Sequence, residues 1–320
     1  MNIRSAGMVF LALLSISPGA LAQAYPSKSI RFVLPFAAGS AVDALARHYG
    51  QRMSETWKQQ VVVDNRTGAN GIIGTEIAAK SPADGYTVYL GNSATLAINP
   101  NLYPKLPFDI VRDFAPVSFA ALINNCLVVH PSLPVKNVKE LIALARARPG
   151  QLNYASGGIG SAQHIPMEML KSMTGMDIVH VAYKGLTPAF NDVVAGQVPM
   201  IIPGLVTALP LHLDGRLRII ATTGVKRTRA TPEIPTIAES GVPGFDFESW
   251  TGFLVPTGTP PEIISRLNAE IVRITRLPDT NERLPGFDWV GSTPQEFGDY
   301  IKANIARIGK VVRDANIRAE

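Results

Sequence analysis

The chain has 320 residues, with 30 Lys and Arg against 25 Asp and Glu and a single cysteine, Cys126. One cysteine excludes an intrachain disulfide. A formal charge of +5 spread over this length, with no basic run interleaved with aromatics, argues against nucleic acid as a partner and suits an anionic small molecule.

Residues 1–24 read as an export signal. Arg4 supplies a positive start, Met8 to Ile16 is apolar, and Ala22-Gln23-Ala24 is a small-x-small cleavage site, so the mature chain is expected to begin at Tyr25. The apolar run is too short to anchor the chain across a bilayer. A disulfide-free exported chain of this size fits a bacterial periplasm, and Cys126, within the apolar run 122–129, is expected to be a buried, inert thiol. About 300 mature residues are large for one core and comfortable for two.

Ile30 to Phe36 is apolar after Arg31 and predicts a strand covered on both faces. Apolar residues at 42, 45, 46, 49, 53 and 57 then give helical spacing, with His48 expected on the helix surface. A short strand at 60–64, a Gly/Asn turn at 65–74 opening a helix through Lys80, and a strand at 86–90 complete an alternating α/β unit. The Pro-rich stretch 99–116 reads as an irregular excursion, and 117–129 as an extended crossing broken by Asn124-Asn125. Asn137 and Glu140 predict a capped helix over 138–148. A strand at 152–155, a Gly/Ser turn at 156–161 and a helix over 162–173 repeat the first arrangement. Further strands are expected at 178–182, 198–202, 217–221 and 250–255. Helices are expected from Thr187, from Thr259 and from Thr293, the last long and apolar on one face. The class is therefore α/β. The crossings at 117–129 and 248–256 imply two hinged lobes, divided as 25–123 plus 252–320 for the first and 124–251 for the second.

Two strand–turn–helix junctions carry the chemistry. Ala37, Ala38, Gly39 and Ser40 put little side chain over a helix N-terminus, whose unpaired amides carry partial positive charge and can hold an anion. Ser156, Gly157 and Ser161 form a second such turn, with His164 one turn further on. Asn92, Ser93 and Thr95 follow another strand end, Asn70 lies between Gly68 and Gly71, and Tyr183 follows the strand at 178–182. Asp43 would repel a bound anion, so it reads as a residue that shapes the first turn. No Gly-x-Ser-x-Gly, Walker A or Gly-x-Gly-x-x-Gly occurs, and the histidines at 48, 130, 164, 180 and 212 form no metal motif. No cofactor, metal or catalytic group is expected.

Taken together, the stretches 25–47 (YPSKSIRFVLPFAAGSAVDALAR), 61–109, 152–164 (LNYASGGIGSAQH), 179–185 (VHVAYKG) and 208–224 resemble the solute-binding proteins of tripartite tricarboxylate transporters, the Bug or TctC-like family, across the chain from Tyr25 to Glu320. The resemblance implies a two-lobed type II periplasmic-binding-protein fold that captures a small organic acid for a two-subunit inner-membrane permease. It also implies that one ligand carboxylate is held by amides and bridging waters between the turns at 36–43 and 156–161. That carries onto Phe36, as a wall, and onto Ala38, Ser40, Asp43, Ser156, Ser161, Gln163 and His164, beside Gly39, Gly157, Asn92, Ser93, Thr95 and Tyr183 from the turns themselves.

The chain departs from the family pattern at Ala37, where proline is common, at Ser40, where glycine is common, and at 199–204. There Pro199-Met200-Ile201-Ile202-Pro203-Gly204 replaces a common Asp-Val-Met-Phe-Asp-Asn. Pro203 cannot receive an amine, so Pro203 and Gly204 are expected to favour a plain dicarboxylate or an aromatic acid over an amino acid. The leading reading is a monomeric binding protein. The alternatives are a protein that presents its ligand to a sensor kinase and, disfavoured for want of a nucleophile–base pair, a periplasmic enzyme acting on organic acids.

Overall fold

A computed structural model describes residues 25–284 and 286–318; the proposed signal at 1–24 lies outside the described residues. The chain alternates through β1 (Ile30–Leu34), α1 (Ala41–Trp57), β2 (Val61–Asn65), α2 (Ile72–Ala79) and β3 (Thr87–Asn92). Single helical turns α3 (Asn99–Leu102) and α4 (Ile110–Asp113) lead into β4 (Phe114–Ile123). Then follow β5 (Cys126–Val129), α5 (Val138–Ala147), β6 (Asn153–Ser156), α6 (His164–Thr174), β7 (Val179–Ala182), α7 (Leu186–Val194), β8 (Met200–Ile201), α8 (Leu205–Leu213) and β9 (Arg218–Thr222). The chain closes with β10 (Ser249–Pro256), α9 (Pro261–Thr275), α10 (Pro278–Arg283), β11 (Phe287–Trp289) and α11 (Pro294–Asp314).

Six strands form one sheet in the order β11-β4-β10-β3-β1-β2, while β8-β5-β9 and β6-β7 form two smaller ones. β1 runs parallel to both β2 and β3, so their carboxyl ends share one edge. β6 and β7 are likewise parallel. The fold is two-lobed, and β4 of the six-stranded sheet hands the chain to β5 of the three-stranded one through Asn124-Asn125. The return strand β10 lies antiparallel beside β4, with Ser249 opposite Ile123. Ser249 to Thr251 thus pair within the six-stranded sheet. Asn125 ties the two crossings, its Nδ2 donating to Ser249 Oγ at 2.6 Å and its carbonyl accepting from Thr223 N–H at 3.1 Å.

Burial explains the strand and helix faces. Phe32, Val33 and Leu34 of β1 and Leu45, Ala46, Tyr49 and Met53 of α1 are all fully buried. α11 packs across its lobe through Phe297, Ile301, Ile308 and Val312, and its Phe297 ring meets Trp250 edge-on at 5.9 Å. Its start is a full capping box, Thr293 with Glu296. At α5 the box is incomplete: Asn137 caps Glu140 N–H, but the Glu140 carboxylate takes the backbone amide of Lys136 and the side-chain amide of Asn137 instead of the Asn137 backbone amide.

Several expectations are corrected. The stretch 99–116 holds two helical turns, and β4 begins at Phe114. The helix expected from Thr187 begins at Leu186 with Gly185 as cap, because Gly185 adopts φ 116° and no hydroxyl caps the end. α6 begins at His164, two residues late, and α9 is preceded by Pro260, not capped by Thr259. His48 is buried, not on the surface: its Nε2 meets Thr280 Oγ1 at 3.0 Å under α10. Cys126 is fully buried, and burial raises its thiol pKa far above the ordinary value.

Candidate functional site

The first turn is shaped from within. Pro35 is buried, Phe36 is half-buried, and Ala37, Ala38 and Gly39 are exposed. Gly39 takes φ 82°, a left-handed turn that brings its amide back onto Asp43 Oδ2 at 2.9 Å. Ser40 caps α1, its Oγ accepting from Asp43 N–H at 3.2 Å. Asp43 is only 2% exposed. Its carboxylate also accepts from Arg47 Nε and from Asn65 Nδ2, both at 2.9 Å. Burial alone would raise its pKa, but the bonds from Arg47, Gly39 and Asn65 outweigh that and hold it below the ordinary carboxylate value. The negative charge that looked wrong for an anion site is thus turned inward and paired.

Two residues the sequence reading missed complete this turn. Asn65 also donates to the Phe36 carbonyl at 3.0 Å, and it stands opposite Leu34 in the β1–β2 register. Arg47 lies one helical turn after Asp43, an i,i+4 spacing that was legible. The Asn65 tie was not, because it depends on strand pairing. With Asp43 N–H and Ala44 N–H bonded to Ser40, the amides of Ala41 and Val42 at the start of α1 have no acceptor among the described residues.

The loop after β3 divides its polar groups differently. Asn92 Oδ1 accepts from the amides of Ala94 and Thr95 at 3.0 and 3.2 Å. Thr95 is fully buried, and its hydroxyl is engaged with the Asn92 backbone. Both residues therefore build the turn that opens a π-helical segment at Ala94–Ile98. Ser93 differs: it is 3% exposed and its Oγ has no partner among the described residues. A buried hydroxyl left unpaired in a native fold calls for an explanation, and a ligand is one.

On the second lobe the turn 156–161 is fixed by imidazoles. Ser156 Oγ lies 2.6 Å from His180 Nε2 and accepts from Gly158 N–H at 3.1 Å. His164 Nδ1 accepts from Gly160 N–H at 3.1 Å, which makes that nitrogen the unprotonated one. The His164 and His180 rings stack at 4.2 Å, and His180 stacks on Tyr154 at 4.8 Å. Burial first, then the neighbouring His180, lowers the His164 pKa to about 4. Ser161 Oγ accepts from His164 N–H at 3.3 Å, and Ser161, Gln163 and Gly157 are half-buried. Ser156 and His164 thus serve the turn's shape, while Ser161 and Gln163 keep surface toward solvent.

The remaining expected residues lie further round. Tyr183 joins this turn through its backbone, its amide donating to Ser156 O at 3.0 Å, but its hydroxyl donates to Asp192 Oδ2 at 2.6 Å, toward α7. Pro203 is buried and its carbonyl accepts from Cys126 N–H at 3.1 Å. Gly204 bridges to Asn125 and precedes α8, which sets this pair beside the β4–β5 crossing. Two surface cavities lie away from all these turns. One, about 450 Å³, is bordered by Lys139, Arg146 and Met173, and the other, about 250 Å³, by Val111, Pro116 and Lys302. Among the described residues no cluster of three or more His, Cys, Asp or Glu is arranged to hold a metal, and no helix is long and apolar enough to cross a membrane.

Turns at the carboxyl ends of parallel strands in two α/β lobes fit a type II periplasmic-binding-protein architecture. Residues 45–317 match the family described as the tripartite tricarboxylate transporter family receptor, and the chain belongs to that family. It is 34% identical to Protein BugT of Bordetella pertussis over 97% of this chain and 96% of that one. Among solved structures it resembles Rpa4515 of R. palustris with adipate, at 38% identity and a TM-score of 0.86, covering 92% of this chain and 99% of the other. It also resembles MatC of Rhodopseudomonas palustris with bound malate, at 28% identity and a TM-score of 0.81, covering 90% and 100%. The family is one of solute-binding receptors, not enzymes.

Proposed function

We propose that this protein captures a small dicarboxylate between its lobes in the periplasm and delivers it to a two-subunit membrane permease. The observation that carries this reading is the inward pairing of Asp43 with Arg47 and Asn65, which leaves the Ala41 and Val42 amides of α1 free for an outside anion. Phe36, Ala38 and Ser40 lie in the turn before those amides, Ser93 Oγ is an unpartnered hydroxyl just after β3, and Ser161 and Gln163 are proposed to meet the ligand from the second lobe. Asp43, Gly39, Asn92, Thr95, Ser156 and His164 contribute by holding the turns in shape. Tyr183, Pro203 and Gly204 are proposed to lie on the far side of the ligand, and the side chain of a proline at 203 offers nothing to an amine, so an amino acid is disfavoured. The acids held by the two solved relatives, adipate and malate, agree with this chemistry. The lobes are proposed to divide near residues 123 and 251, and the protein to act as a monomer.

The test is a thermal-shift series on protein unfolded and refolded to strip any retained ligand, with adipate, malate, benzoate and glutamate. A dicarboxylate at 100 times its Kd should stabilise the fold by about 2.7 kcal/mol. Glutamate should leave the melting temperature in place. No shift with any of the plain acids, or a shift with glutamate alone, would overturn the proposal.

A further inference from the structure

One polar side chain of the first lobe reaches the 156–161 turn of the second. The loop between β2 and α2 runs through four left-handed residues, Gly68 at φ 122°, Ala69 at 47°, Asn70 at 52° and Gly71 at 86°. Two of these are not glycine, and such backbone persists only where its surroundings hold it. Asn70 is held on three sides. Its carbonyl accepts from Nδ2 of the buried Asn99 at 2.9 Å, and its own Nδ2 donates to Tyr103 Oη at 2.6 Å and to the carbonyl of Ile159 at 3.1 Å. Ile159 belongs to the turn 156–161 of the other lobe. Among the described residues the Asn70–Ile159 bond is the one hydrogen bond from residues 25–120 to the 156–161 turn; elsewhere Arg307 of α11 reaches Asp246 and Asn124 reaches Asp288. The next residue, Gly160, sits so close to α3 that a Cβ there would fall 2.2 Å from Leu102 Cδ2.

We propose that Asn70 is a positioning residue that docks the 156–161 turn onto the first lobe and thereby sets how long a ligand stays between the lobes. The amide uses both of its hydrogens, one to fix its own rotamer on Tyr103 and one to reach across. The strained loop supplies the reach, because the left-handed backbone at 69–70 is held to Asn99 at its base. Asn70 thus acts through the partner turn and needs no contact with the ligand. A bound acid would be released only after the Ile159 bond opens. The effect on residence time rests on the proposed function, whereas the docking of the turn does not.

Asn70→Gly keeps the left-handed backbone and removes the amide, and Asn70→Asp replaces the donor with an acceptor that repels the Ile159 carbonyl. Without ligand, hydrogen exchange over residues 156–164 should be faster in both variants than in the parent, with melting temperatures nearly unchanged. Unchanged exchange in both would overturn the proposal. With adipate and malate as probes, stopped-flow dissociation should accelerate by the same factor for each, roughly three- to tenfold for a lost neutral hydrogen bond. Unequal factors would make Asn70 a direct ligand contact and overturn its positioning role. If the parent binds neither acid, the dicarboxylate reading fails, while the exchange experiment still decides the role of Asn70.

Discussion

Asp43 shows how one side chain can decide the sign of a site. A carboxylate on the first turn of a helix is favourable to the helix and unfavourable to a bound anion. Here the conflict is resolved by three donors, with Arg47 supplying the neutralising charge and Gly39 and Asn65 the remaining bonds. Asp43→Ala removes the acceptor all three share and leaves the Gly39 turn without its anchor. It is expected to cost about 1–3 kcal/mol of stability, since hydrogen bonds to a charged group are among the stronger ones. Urea unfolding measures this, and a loss below about 0.5 kcal/mol, the range of ordinary surface changes, would mean that the turn holds its shape without the carboxylate. The Asp43–Arg47 pair was readable from spacing. Asn65 and His180 were not, because each reaches its partner only through strand pairing, β1 with β2 and β6 with β7.

At the scale of elements, the loops do more of the work than their composition suggests. Asn92 and Thr95 look like ligand donors in sequence, and the Asn92 Oδ1 and the Thr95 hydroxyl are spent on the turn that starts the π segment. Composition could not separate them from Ser93, because which hydroxyl is engaged depends on the backbone path. α2 makes the same point through packing. A Cβ on Gly74 would lie 2.5 Å from Arg66 O and 2.9 Å from Pro35 Cα, both backbone atoms that cannot rotate away. Gly74→Ala should gain about 1 kcal/mol of helix propensity and lose more to overpacking, about 1–3 kcal/mol. The expected result is a lower melting temperature in a calorimetric scan, and a higher one would show that β1 and the β2–α2 loop can separate at no cost. The N-cap shifts at α6, α7 and α9 have a common cause as well: backbone conformation at Gln163, Gly185 and Pro260 ends the loop without a side-chain cap.

For the molecule as a whole, burial of histidines makes stability depend on pH. His48, His164 and His180 are all lowered from 6.5, each chiefly by burial, and His164 reaches about 4. Between pH 6.5 and about 4 the unfolded chain therefore takes up protons that the folded chain refuses, and stability falls as pH falls through that window. Below the ordinary aspartate range, protonation of Asp43, whose folded pKa is lowered, removes a further contribution. Chemical denaturation at pH 7, 5.5 and 4 should show a progressive loss. His164→Asn, which keeps an acceptor for Gly160 N–H, should flatten part of it. An equally steep fall in that variant would assign the acid sensitivity elsewhere.

The linear sequence by itself determined the α/β class, the two small-residue strand–turn–helix junctions, the single inert thiol and the family. These follow from local causes: strand and helix periodicity, small residues at strand–helix junctions, and motifs contiguous in the chain. Tertiary structure alone decided which of the polar residues in those turns are spent on shape and which stay unpaired. It also set Pro203 and Gly204 beside the β4–β5 crossing and made Asn70 a bond to the 156–161 turn. Those outcomes depend on contacts between residues as far apart as Asn70 and Ile159, and no spacing within either segment encodes where the other will lie.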